Sequence, residues 1–212
     1  MKLYSYFRSS AAYRVRIALA LKGLAYDYIP IHLLKGEQRA DAYREVNPQA
    51  LVPTLVDERG TWTQSLAIIE YLDEKHPNPP LLPATAEERA RVRAIALAIA
   101  CEIHPLDNTR VLQYLMQTLG LGEETKNEWY RHWIELGFTA LEARLAGDAA
   151  TGTFCHGDTP TLADICLVPQ LANARRVTMA LDKYPTLLRI EAACHALPAF
   201  AAAAPARQPD AQ

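Results

Sequence analysis

The reading of the chain turns on residues 2–23, KLYSYFRSSAAYRVRIALALKG. Lys2–Phe7 is short, aromatic and alternating, which predicts a strand. Ser9 and Ser10 follow as candidate N-caps, because a serine oxygen can accept the amides that a first helical turn leaves unpaired. The helix they open carries Val15, Ile17, Ala18, Leu19 and Leu21. Gly23 is its expected stop. Tyr26–His32 reads as a second strand, so the unit is strand–helix–strand, expected to be a right-handed parallel crossover.

Working outward, 38–46 is weakly patterned and predicts a short helix. Residues 47–56, NPQALVPTLV, form a turn running into a strand. Pro53 is tolerated there because the ladder loses an N–H only at its start. Arg59-Gly60 makes a tight turn, and Thr61–Thr63 can pair back antiparallel. Ser65 then caps a helix whose apolar residues are Leu66, Ile68, Ile69 and Leu72. The order βαβ-α-ββα is that of a thioredoxin-like domain.

Four prolines within residues 77–83, PNPPLLP, predict a stiff linker and a boundary between domains at 1–82 and 83–212. Every later signal is helical: 86–119, with Pro105 expected to kink or break it, then 123–145, 161–177 and 184–193. The Ala/Pro-rich segment after Leu197 predicts a helical turn and a loose tail. The fold class is therefore α/β plus all-α.

Composition narrows the partner. Half the residues are hydrophobic and 22% are charged, with 22 basic against 24 acidic side chains and a formal net charge of −2. That balance gives no footprint for nucleic acid or for a polybasic membrane contact. The apolar run Ala94–Cys101 is far shorter than the roughly 20 residues a membrane span needs, and MKLYSYFRSS has no signal-type apolar core. The four cysteines show no CxxC or metal spacing and read as buried free thiols of a reducing cytosol. The six histidines form no HxxxH-type cluster, and no metal site is expected.

Four segments in order resemble the zeta class of cytosolic glutathione transferases. Ser9-Ser10-Ala11-Ala12-Tyr13-Arg14-Val15-Arg16-Ile17-Ala18-Leu19 is similar to that class's SSCxWRVRIAL signature, with Ala11 in place of the cysteine. Asn47-Pro48 with Val52-Pro53-Thr54-Leu55 resembles the clamp, with its cis-proline, that holds the glutathione backbone. Residues 64–72, QSLAIIEYL, resemble the γ-glutamyl site, and 157–165, GDTPTLADI, resemble the folding motif of the helical domain. The class comprises maleylacetoacetate and maleylpyruvate isomerases, and the chain looks most like the bacterial maleylpyruvate isomerases. The resemblance implies a glutathione transferase fold, glutathione as cofactor, a dicarboxylate keto acid as substrate, a homodimer and a cytoplasmic location.

The residues suit that chemistry. A thiol with a pKa of about 8.5 is only a few per cent thiolate at neutral pH. A hydroxyl at a helix N-terminus favours the anion through its O–H and the helix dipole. Either serine can equally be a plain cap; Ser9 is taken as the thiolate donor and Ser10 as its support. Ser65 and Gln64, at the start of another helix, can hold the γ-glutamyl carboxylate or simply cap. Val52 would pair with peptide through its backbone, beside Pro53. Gln38 can reach the glycyl end by resemblance, or be a solvated side chain. Ala11 and Gln49 complete the expected first-domain contacts.

Carboxylates call for arginine, which binds them bidentately. Arg8, just before the serines, and Arg176, on a stripe with Ile165, Val168 and Ala172, are the candidates; Arg175 fits periodicity nearly as well. His104, Asn108 and Arg110, near the Pro105 kink, are further candidates for glutathione, and Arg110 for substrate also.

Overall fold

The computed structural model describes residues 1–211. It divides into two compact units, one formed by 1–81 together with 195–211, the other by 82–194. The boundary falls inside the proline-rich linker, and the last stretch packs with the first unit.

The first unit holds a four-stranded sheet in the order β2-β1-β3-β4: β1 Lys2–Ser5, β2 Asp27–Pro30, β3 Thr54–Asp57 and β4 Gly60–Thr63. β1 runs parallel to β2 and antiparallel to β3, which runs antiparallel to β4. The strands are shorter than the sequence predicts, because Tyr6 and Phe7 leave the ladder to begin the turn into α1 (Ser10–Leu21). Gly23, at φ +64°, follows α1 in the left-handed conformation that glycine adopts without a Cβ penalty. Between β2 and β3 lie two 3-10 turns, Leu33–Lys35 and Glu37–Arg39, and the short helix expected within 38–46 is a single turn, α2 (Asp41–Arg44). α3 (Ser65–Lys75) packs against α1. Leu3, Ile17, Leu19, Leu55, Ile68, Ile69, Leu72 and Phe200 are fully or almost fully buried in this unit. Burial of each such side chain is worth roughly 1.5–3 kcal/mol.

The second unit is helical: α4 (Ala86–Leu97), α5 (Thr109–Gln117), α6 (Glu123–Gly147), α7 (Leu162–Arg176) and α8 (Pro185–His195, whose last residue is grouped with the first unit). The long stretch predicted over 86–119 is interrupted before Pro105. Residues Ala98–Ile103 wind as a π-helix, and the His104 N–H donates to the Ile99 carbonyl. Pro105 has no N–H with which to continue an α ladder, so the chain turns and restarts at Asn108. α6 lies close to the π segment at Gly137, where a Cβ would come within 2.2 Å of Ile103 Cδ1. α7 is buried on nearly every side. Its N-terminus is fixed by a capping box in which Asp164 Oδ2 accepts the Thr161 N–H at 2.7 Å and Oδ1 accepts the Cys155 N–H at 2.8 Å.

The predicted loose tail is a correction. α9 (Pro198–Ala203) packs on α1, a 3-10 turn covers Pro205–Arg207, and Asp210 is hydrogen-bonded into the sheet domain. The cysteines depart from expectation at one position: all four are free, but Cys101 is exposed while Cys155, Cys166 and Cys194 are buried. Among the described residues no helix is long and apolar enough to cross a membrane, and no group of His, Cys, Asp or Glu is arranged to hold a metal.

Candidate active site

Sheet register gathers the first set of candidates. Tyr4 stands opposite Thr54, and Thr54 opposite Thr63. The segments leaving β1, entering β3 and leaving β4 therefore emerge at one end of the sheet. They carry Arg8 and Ser9, Val52 and Pro53, and Gln64 and Ser65.

Ser9 is the N-cap of α1: its backbone is extended and its Oγ accepts the Ala12 N–H at 3.2 Å. A serine hydroxyl accepts and donates at once, so the capping oxygen keeps its own O–H to give. Capping and anion binding thus fit in one residue. Ser10 is buried in the first turn, and Ala11 is half-buried. Arg8 is exposed, with its guanidinium carbon 5.2 Å from the centre of the Phe7 ring.

The Val52–Pro53 bond is cis and both residues are buried. Val52 shares an apolar cluster with Tyr6, Phe7 and Tyr43, which ties this turn to the loop before Ser9. Asn47 organises the approach, donating through Nδ2 to the Leu51 carbonyl and Thr54 Oγ1 and accepting the Gln49 N–H. Gln64 stands at φ 67°, ψ 116°, a strained backbone for a residue with a side chain. Its Nε2 donates to Gln49 Oε1 at 3.1 Å, so these two candidates meet. Ser65 is buried, and its Oγ accepts from Arg14 Nη1 at 3.3 Å.

Gln38 is buried rather than solvated, and its Oε1 has no hydrogen-bond partner among the described residues. A buried amide oxygen in that condition is the kind of acceptor a ligand satisfies.

The second unit carries the other candidates. Asn108 caps α5, its Oδ1 accepting the Arg110 N–H at 3.1 Å; His104 ends the π segment, and Arg110 is exposed. Arg175 is committed to a bidentate ion pair with Glu191. Arg176 instead donates from Nη1 to Asn173 Oδ1 at 3.2 Å and lies close enough to Asp107 to influence it electrostatically. This separates two arginines that periodicity could not.

Asp107 was not among the sequence candidates. It is 4% exposed, and neither carboxylate oxygen has a hydrogen-bond partner among the described residues. Burial pushes its carboxyl up to about 8, against the opposing pull of Arg176. Burial also pushes the Tyr130 phenol up to about 12, with Arg176 lowering it and Asp107 adding to the rise. Asp107, Tyr130 and Arg176 thus form one electrostatic group. An acidic residue between His104 and Asn108 was the available signal, but sequence does not report burial.

The fold is shared with known proteins. The glutathione S-transferase N-terminal domain family matches residues 3–80, and the corresponding C-terminal domain family matches 128–202. The chain is 52% identical over 211 residues to a probable maleylacetoacetate isomerase of Vibrio cholerae, covering 99% of this chain and 97% of that protein. It superposes with a TM-score of 0.98 on the holo structure of a maleylpyruvate isomerase described as a bacterial zeta-class glutathione S-transferase, at 50% identity and full coverage of both chains. It superposes at 0.97 on a maleylacetoacetate isomerase of Methylobacterium extorquens AM1 with bound malonate and glutathione, at 43% identity and again full coverage of both. With a thioredoxin-like sheet unit, a helical unit and full-length likeness at this level, the chain belongs to the zeta class of the glutathione S-transferase family.

Proposed function

We propose that the protein is a glutathione-dependent cis–trans isomerase that converts maleylpyruvate to fumarylpyruvate. The observation that carries this reading is Ser9, an N-cap whose hydroxyl keeps a donor at the positive end of a 12-residue helix.

Glutathione lies along the end of the sheet, its sulfur accepting the Ser9 O–H, with Ser10 and Ala11 lining the first turn. Its cysteinyl backbone pairs with Val52 beside Pro53. The γ-glutamyl carboxylate takes Ser65 and Gln64, with Gln49 linked to Gln64, and the glycyl end takes Gln38. His104, Asn108 and Arg110 add contacts to glutathione, and Arg8, Arg110 and Arg176 take the substrate's carboxylates. Malonate and glutathione together in the Methylobacterium extorquens relative support a dicarboxylate beside the tripeptide.

The thiolate adds to an alkene carbon of the enone, forming one S–C bond while the π pair moves onto the ketone oxygen. Arg8 or Arg176 stabilises that enolate charge. The former double bond rotates. The enolate then re-forms the ketone and the double bond, now trans, and expels the thiolate. No atom or electron is gained overall, so glutathione returns unchanged. Ala11 is compatible with this scheme, because the tripeptide supplies the reacting thiol.

A homodimer and a cytoplasmic location belong to the same reading. Large exposed apolar side chains such as Tyr114 and Leu136 support the first, and four free thiols support the second. The same site could instead serve maleylacetoacetate, which keeps the enone and differs in the tail, and the Vibrio cholerae relative favours that alternative.

The test is to follow maleylpyruvate by spectrophotometry with substoichiometric glutathione, quantifying thiol at the end. Many turnovers per glutathione with thiol retained are expected. One thiol lost per substrate would make the protein a conjugating transferase, and no reaction would leave a glutathione-binding module. Competition between the two maleyl keto acids ranks the substrates.

A further inference from the structure

The loop that carries Arg8 and Ser9 is held from a point some two hundred residues away in sequence. Asp210 Oδ2 accepts the Phe7 N–H at 3.1 Å, and Asp210 Oδ1 accepts the Tyr28 hydroxyl at 2.6 Å. The Phe7 carbonyl, on the other side of the same residue, accepts Arg16 Nη2 at 3.1 Å. Both backbone polar groups of Phe7 are therefore taken by charged side chains. Such charge-assisted bonds are roughly twice as strong as neutral ones.

The two charges are themselves anchored. Arg16 is 1% exposed and also donates to the Ala203 carbonyl at 3.0 Å, Ser5 Oγ at 3.1 Å and the Tyr6 carbonyl at 3.4 Å. Asp210 is aimed by the segment before it: Gln208 Nε2 donates to the carbonyls of Ala202 and Ala204, and Ala211 packs on the cluster of Tyr6, Phe7, Tyr43 and Val52. The segment thus touches the loop before Ser9 and the apolar base of the Val52–Pro53 turn together. Within the loop, the Ser9 N–H returns to the Tyr6 carbonyl at 2.9 Å, so a shift at Phe7 is passed to the Ser9 cap.

We propose that Asp210 is a positioning residue for catalysis, fixing the Phe7 peptide so that Arg8 and Ser9 are presented in one geometry. This rests on the reading of Ser9 given above. Without the carboxylate, the Phe7 N–H turns to water and the loop samples other positions. Ser9 then holds the sulfur less well, although the sheet and α1 persist.

Asp210→Ala and Asp210→Asn are compared with the unaltered full chain by hydrogen exchange, steady-state kinetics and thermal melting. Asp210→Ala is expected to speed amide exchange in 7–10 by about tenfold and to lower kcat/KM for glutathione by a similar factor. Exchange in β3 stays unchanged, and Asp210→Asn falls between. Tyr28→Phe, which leaves the Phe7 bond in place, changes kinetics less than twofold. Unaltered loop exchange and kinetics in both Asp210 variants overturn the proposal. So does a lower melting temperature with kcat/KM intact, since that marks a purely structural anchor. Ser9→Ala, run alongside, separates the two failures. Full turnover in Ser9→Ala removes the Ser9 reading and the catalytic part of this proposal with it. Lost turnover there beside unaffected Asp210 variants removes Asp210 alone.

Discussion

Arg14 donates from Nη1 to the Oγ of Ser65 at 3.3 Å, joining the first turn-and-a-half of α1 to the first residue of α3. Arg14 is 1% exposed, so a buried cation lies directly behind the hydroxyl proposed to meet a carboxylate. In low-dielectric surroundings that charge polarises the hydroxyl and attracts the anion. The two residues should act as a unit. Ser65→Ala is expected to raise KM for glutathione about 10- to 100-fold, the equivalent of losing a hydrogen bond to a charged group worth roughly 1.5–3 kcal/mol. In a double-mutant cycle with Arg14→Met, the losses in glutathione affinity by calorimetry should fall short of additivity by about 1 kcal/mol. Strict additivity would separate the two residues.

Ser9 has two roles that substitution can part. Ser9→Ala removes the cap on α1 and should lower stability by about 1 kcal/mol. Ser9→Asp restores a capping oxygen but brings no O–H at neutral pH and sets a negative charge against the thiolate. It is expected to melt like the unaltered protein while losing turnover by more than about 100-fold. Ser9→Thr keeps both functions and should retain most of each. A Ser9→Asp variant with normal turnover would leave the cap as the residue's whole purpose.

The buried Asp107 gives the second unit a pH dependence of definite sign. Its folded carboxyl lies near 8, against about 3.9 in an unfolded chain, so the native state holds the proton more tightly. The stability from that proton is complete below about pH 4 and is lost as pH rises from there through 8. Asp107→Asn keeps the shape and removes the titration. Its unfolding free energy, measured by urea denaturation, should exceed that of the unaltered protein at pH 9 by about 1–3 kcal/mol and match it near pH 4. An equal difference at both pH values would contradict the assignment.

Asp164 is fully buried and accepts from the backbone N–H of Cys155 and Thr161 and from Thr161 Oγ1 at 2.9 Å. Desolvation still outweighs those bonds and leaves its carboxyl above the ordinary range. Asp164→Ala strands buried donors at the head of α7 and should destabilise the protein by about 3–5 kcal/mol. Chemical denaturation checks it; a change below about 1 kcal/mol would mean the capping box is dispensable.

What the sequence revealed and what it hid follow from the range of the interactions. The α1 cap, the Gly23 stop and the Arg59-Gly60 turn are local, so residue type and spacing were enough to find them. Ser9 and Ser10 were both plausible caps, and only the backbone at Ser9 assigns the role. The burial of Gln38 and Asp107 depends on packing among distant segments, which no local pattern records. Asp210 seemed part of a loose tail because its partners, Phe7 and Tyr28, lie far upstream. The π segment arose one turn before the proline that signalled a break, since the strain of Pro105 falls on the carbonyls preceding it.

The central claim is that glutathione's sulfur is held ionised at the start of α1. Thiolate absorbance of glutathione bound to the protein, titrated with pH, tests it most directly. The account predicts an apparent thiol pKa at least about one unit below the reference of roughly 8.5, moving back toward it in Ser9→Ala. A bound thiol that titrates like the free tripeptide, or glutathione that does not bind, would contradict it.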